Sequence, residues 1–120
     1  ASRPVGGGAI TNRARLAEQA RTAGNEARAL QLAAQARDAN PLAIHGNLIA
    51  ADVHYGANDA NAAVAAALAA TRRQPESPIA WECLVLTGNN VTSQAAIAKV
   101  RALNPASALA LHAPQCRGSW

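Results

Sequence analysis

Prolines that follow a polar residue punctuate this chain at near-regular intervals: Asn40-Pro41, Gln74-Pro75 with Ser77-Pro78 just behind it, and Asn104-Pro105. Pro41 and Pro75 are 34 residues apart, and a fixed period of that length marks a chain built from copies of one supersecondary unit. Proline at the first helical position after an Asn or Ser cap reads as a helix start. Weaker breaks fall between these marks, at Gly24-Asn25, from Gly56 to Asp59 and from Gly88 to Thr92. The punctuation predicts six helices in three hairpins, over Thr11 to Thr22, Glu26 to Ala39, Leu42 to Tyr55, Ala60 to Arg73, Pro78 to Thr87 and Ser93 to Leu103, then a seventh over Ala106 to His112.

Composition restricts what lies between the breaks. Half of the 120 residues are hydrophobic, yet there is no Phe or Met, one Tyr and two Trp, and alanine fills stretches such as Ala60 to Ala70. Alanine has the highest helix propensity and lets backbones approach, whereas strands favour the β-branched and aromatic residues that are scarce here. An all-α domain is expected over residues 11–112, after a flexible Gly-rich linker at 1–10 and before a tail at 113–120. A chain with no methionine is expected to be processed or excised from something longer. No apolar run approaches the roughly 20 residues that span a bilayer.

Small residues recur in register. Ala29 and Ala36, like Ala63 and Ala70, are seven apart and share one helix face, where they let a neighbouring helix pack close. Leu16, Leu32, Leu48, Val53, Val64, Leu68, Trp81, Leu84, Ile97 and Val100 are the larger residues expected to fill the core. The set Gly24, Ala29, Ala36 and Pro41, then Asn58, Ala63, Ala70 and Pro75, resembles the second helix of the tetratricopeptide repeat (TPR) family, with Asn58 where glycine is expected. Trp81 and Leu84 fall on the family's Trp and Leu positions. The third unit departs from the pattern: it runs 30 residues from Pro75 to Pro105, with about four missing near Gly88 to Thr92, and Ser93 and Val100 replace the alanines. Asn47 and Ala50 stand in the second unit where Trp and Leu would sit. The resemblance implies three hairpins stacked as a right-handed solenoid, with Ala106 to His112 as a C-terminal cap that uses Leu109 and Leu111.

Ten Arg and one Lys against seven acids give a net charge of +4. That excess permits contact with nucleic acid or anionic headgroups. No like-charge block exceeds Arg72-Arg73, however, and no aromatic platform accompanies the arginines, so the single-strand and RNA-binding signatures are missing. His45 and His54 are nine apart on opposite faces of one predicted helix, and no metal-ligand spacing or phosphate-binding glycine loop occurs. His45 and Asp52 share a face but have no Ser or Cys nucleophile beside them. No enzymatic role, cofactor or metal is expected. Cys83 reads either as a small core residue or, in an exported protein, as one half of a bridge to Cys116 that ties the tail to the third hairpin.

The resemblance also implies a site. In TPR proteins the first helix of each hairpin lines a concave groove, which selects Ala14, Glu18 and Arg21; His45, Leu48, Asp52 and Tyr55; and Ile79, Glu82, Leu86 and Asn89. Glu18, Asp52 and Glu82 against Arg21 leave this face at about −2, while Arg28, Arg37, Arg72, Arg73 and Arg101 from second helices are expected mainly on the convex side. The expected role is a protein- or peptide-binding scaffold, acting as a monomer or weak oligomer, for a basic or apolar segment read by Leu48, Tyr55, Ile79 and Leu86. Family members that clamp a C-terminal carboxylate use Lys, Arg and Asn where this chain has Ala14, Glu18, Asp52 and Glu82, which argues against chaperone-tail binding. The alternative is a soluble appendage of a larger bacterial membrane or envelope protein, such as a polysaccharide ligase or polymerase. A periplasmic or extracytoplasmic location goes with that reading, and membrane contact would come only through flanking sequence.

Overall fold

The computed structural model describes residues 12–105 and 114–116. The predicted linker at 1–10 and seventh helix over Ala106 to His112 lie outside them. Within the described residues the chain is all-helical, as α1 (Asn12–Thr22), α2 (Glu26–Ala39), α3 (His45–Gly56), α4 (Ala60–Arg73), α5 (Pro78–Thr87) and α6 (Asn90–Leu103). No helix among them is long and apolar enough to cross a membrane.

Three of the helices share one kind of cap. Each second helix, α2, α4 and α6, is 14 residues long and opens on a side-chain cap. The Oδ1 atoms of Asn25, Asp59 and Asn89 accept from the backbone N–H of Arg28, Ala62 and Thr92 at 3.2, 3.2 and 2.9 Å. Such bonds satisfy one of the donors a helix start leaves open. Each second helix closes the same way, the N–H groups of Asn40, Gln74 and Asn104 reaching Ala36, Ala70 and Val100. Asn40 and Asn104 therefore end helices, and among the described helices Ser77-Pro78 is the pair that places proline at a start. Asn40 folds the chain into a turn, its Oδ1 accepting from Leu42 N at 3.1 Å, so α3 begins at His45 rather than at Leu42.

Units one and two turn between their helices through a left-handed residue, Gly24 at φ 83° and Asn58 at φ 62°. The following N–H bonds back five residues, from Asn25 to Ala20 O and from Asp59 to His54 O, both at 2.9 Å. Glycine suits that conformation and asparagine tolerates it, which explains Asn58 at a glycine position. The third unit has no such turn. Gly88 keeps φ at −78° and leads straight into the Asn89 cap, so α6 starts at Asn90 and not at Ser93. The shortening expected near Gly88 to Thr92 is spread out instead. Relative to unit two, the third loses one residue before its first helix, two within that helix and one after it.

Sequential helices pack on one another, and α3 also lies against both α1 and α5. Two core clusters result, one on each side of α3. Ala14, Ala17, Ala29, Leu32, Ala33 and Ala36 meet Ile49, Ala50 and Val53 on one side. On the other, Ile44, Leu48 and Ala51 meet Ala67, Ala70, Ala80, Cys83, Leu84, Ala96 and Cys116. The alanine pairs seven apart are all buried, which lets helices approach closely as their spacing requires. Leu16, expected in the core, stays 44% exposed on the outer side of the edge helix α1.

Arg73, expected mainly as a solvated charge of a second helix, has a structural role. Its half-buried guanidinium donates to the carbonyls of Arg37, Asn40 and Ala43 at 3.2 to 3.5 Å, and Gln74 Nε2 donates to Leu42 O at 2.6 Å. The end of α4 thus holds one carbonyl of the last turn of α2, that of Arg37, and three carbonyls of the turn that follows it.

Candidate functional site

The first helices α1, α3 and α5 lie side by side, and the residues read as a groove divide into two sets there. Ala14 and Leu48 are fully buried and His45 is 5% exposed, so these three belong to the interior and not to a binding surface. The physical reason is the position of α3. It is covered on both sides, and every residue from Ala43 to Ala51 is buried, so His45 and Leu48 fall in the core, where Ala14 of α1 also packs. Asn89 is exposed, with its side chain engaged in capping α6. Glu18, Arg21, Asp52, Ile79, Glu82 and Leu86 are partly exposed, and Tyr55 is 45% exposed.

Charge on this face is organised by Arg21. Its Nε donates to both carboxylate oxygens of Glu18 at 3.2 Å, its Nη2 also meets Glu18, and its Nη1 reaches Asp52 Oδ2 at 3.1 Å, joining α1 to α3. All three side chains are largely shielded. The Glu18 hydrogen bond, with the charges of Glu18 and Asp52, raises the Arg21 pKa against the opposing effect of burial. The cation is thus fixed between its two acids. A cleft of ≈ 360 Å³ opens beside it, lined by Arg21, Gly24, Glu26, Asp52, Val53 and Gly56.

A larger cleft, ≈ 500 Å³, lies where units meet, lined by Leu42, Arg73, Gln74, Pro75, Glu76 and Ser77. The sequence hid it because Leu42 reads as the first residue of a helix. In the turn that Asn40 builds, Leu42 is 71% exposed.

Among the described residues no group of three His, Cys, Asp or Glu side chains is placed to hold a metal ion. Burial lowers the pKa of His45, because the charged ring would lose its hydration. The folded chain resists a proton that the unfolded chain accepts near 6.5, so the stability tied to the neutral ring is present above that pH and is lost as pH falls below it. Urea unfolding at pH 7.5, 6.5 and 5.5 is therefore expected to show declining stability. The loss is up to about 1.4 kcal/mol per pH unit until the folded pKa is reached. His45→Gln should flatten that decline, and an unchanged slope in the variant would place its cause elsewhere.

Cys83 on α5 and Cys116 in the tail form a disulfide, with Cα atoms 4.2 Å apart and both residues at 0% exposure. Trp81, two residues before Cys83, donates through Nε1 to Pro75 O at 2.8 Å and lies 5.6 Å beneath the Lys99 ammonium, fastening α5 to α6. No protein-family model, curated protein or solved structure matches the sequence.

Proposed function

We propose that this chain is a non-enzymatic, TPR-like binding module that docks a protein or peptide segment along the face of α1, α3 and α5. The observation that carries this reading is their side-by-side placement, with half-exposed Tyr55 one helical turn beyond the Arg21–Asp52 pair. Contacts of α3 with both α1 and α5, without comparable contact of α4 with α2 or α6, support a stack of hairpins in solenoid fashion. Caps recurring with the 34-residue period support it as well.

The face as folded sharpens the partner. Arg21 already answers Glu18 and Asp52, so charge alone gives modest selectivity, and apolar contact with Tyr55, Ile79 and Leu86 contributes the larger share. A segment with alternating basic and apolar side chains fits both features. Fluorescence anisotropy with labelled Arg/Leu and Glu/Leu peptides at low and moderate salt tests this. The basic peptide should bind more tightly at low salt, and Tyr55→Ala should weaken it by roughly tenfold, the effect of losing about 1.4 kcal/mol of aromatic contact. Equal or tighter binding of the acidic peptide would refute the charge assignment, and affinity unchanged in Tyr55→Ala would refute the face.

The disulfide favours a second, compatible reading, in which the module is an extracytoplasmic appendage of a larger bacterial envelope protein. Such bonds persist in oxidising compartments.

A further inference from the structure

The two core clusters give the hairpins unequal support. Helix α3 contributes to both, so the first hairpin closes on Ile49, Ala50 and Val53 without any residue from α5 or α6. The third hairpin has less behind it. Helix α6 packs along α5, and no comparable contact ties it to α3 or α4. Its second tether is covalent: Cys116 follows Cys83 by 33 residues, and the closed loop contains the whole of α6. The tail returns to place the Cys116 side chain inside the cluster formed by Leu48, Ala80, Leu84 and Ala96.

Among the described residues of the tail, 114–116, Cys116 is the buried one, so without the bond it would have to hold them in the core against the entropy of closing a loop of this length. A cross-link over about 33 residues removes enough disorder from the open chain to shift the folding equilibrium by roughly 100-fold or more. The shift acts where the loop is, on α5, α6 and the tail.

We propose that the third hairpin is an oxidation-dependent unit, ordered only once Cys83 and Cys116 are joined, while the first hairpin and α3 fold in either redox state. The reaction is exchange with a disulfide-bearing oxidant. One cysteine thiolate attacks an oxidant sulfur to give a mixed disulfide and release the first thiolate. The second cysteine then displaces the other, so two protein thiols become one disulfide and the oxidant leaves as a dithiol carrying both protons. Because both sulfurs are closed off in the folded chain, exchange takes place while the hairpin is open, and the finished bond is out of reach of a thiol in solution. The compartment in which the chain folds thereby decides whether Ile79, Glu82 and Leu86 of α5 are held in line with α1 and α3.

Hydrogen exchange read by mass spectrometry tests this on the full chain in three forms: oxidised, fully reduced and refolded under reductant, and Cys116→Ala. The reduced chain and the variant should both exchange the amides of α6 and the second half of α5 about 100-fold faster than the oxidised chain. Amides of α2 should change by less than tenfold. Protection of α6 that survives reduction within a few-fold would overturn the proposal. So would equal loss of protection in α2 and α6, which would mean that the chain opens as a single unit.

Discussion

Leu48→Ala is expected to destabilise the fold by about 2–5 kcal/mol, the range for removing a large buried aliphatic side chain that leaves a cavity. Leu48 is fully buried on α3 and sits in the cluster that joins α4, α5 and the returning tail, so its loss removes contacts with several elements at once. Each kcal/mol lowers the melting temperature of a domain this size by about 4–8 °C, so a calorimetric scan resolves the effect easily. The same substitution separates two roles for the residue. A groove residue would cost affinity and leave the melting temperature in place, whereas a core residue costs stability first. A variant that melts within a degree or two of the parent would move Leu48 back to the surface.

Gly46→Ala carries the second large effect, with a sign opposite to the one helix propensity suggests. Gly46 lies in the first turn of α3, where alanine is normally better than glycine by about 1 kcal/mol. A Cβ there would stand 2.5 Å from Ala33 O, 3.0 Å from Arg37 Cγ and 3.3 Å from Arg37 N. The first and last of these are backbone atoms of α2, which cannot move aside as the end of a side chain can. The two helices must separate, and the expected net loss is about 1–3 kcal/mol. Gly56→Ala at the other end of α3 is the control, since a Cβ at that position meets nothing within 4 Å. It should be neutral or stabilising by up to about 1 kcal/mol. Urea unfolding of both variants decides the matter, and a Gly46→Ala chain as stable as the Gly56→Ala chain would mean that α2 and α3 do not approach so closely.

Local chemistry explains what could be read without coordinates. Alanine-rich runs bounded by Gly, Asn and Pro define helices because propensity and capping act over a few residues. The buried pairs Ala29 and Ala36, and Ala63 and Ala70, were legible for a related reason: a spacing of seven keeps one helix face whatever the neighbour is. What failed was deciding which residues of α3 are buried. A helix covered on both sides loses the one-sided apolar stripe that distinguishes inside from outside, and Ala43 to Ala51 carry no such contrast. The proline marks were ambiguous in a different way. Asn-Pro serves as a helix start or as the turn after a helix stop, and the choice depends on where the asparagine side chain bonds. At Asn40 it bonds to Leu42 N and builds the turn. Arg73 was unreadable because its acceptors are three backbone carbonyls some 30 to 36 positions away, and no side-chain pattern announces a carbonyl.

The grip of Arg73 and Gln74 on the turn at residues 40–43 bears on how such a chain can lengthen. Gln74 ends α4 as Asn40 ends α2, and the segment from Pro41 to Gln74 carries both a turn to be held and the two side chains that hold one. A tandem copy of that segment would bring its own fastening to the joint before it. Duplication of this stretch therefore adds a hairpin without requiring a new junction to evolve.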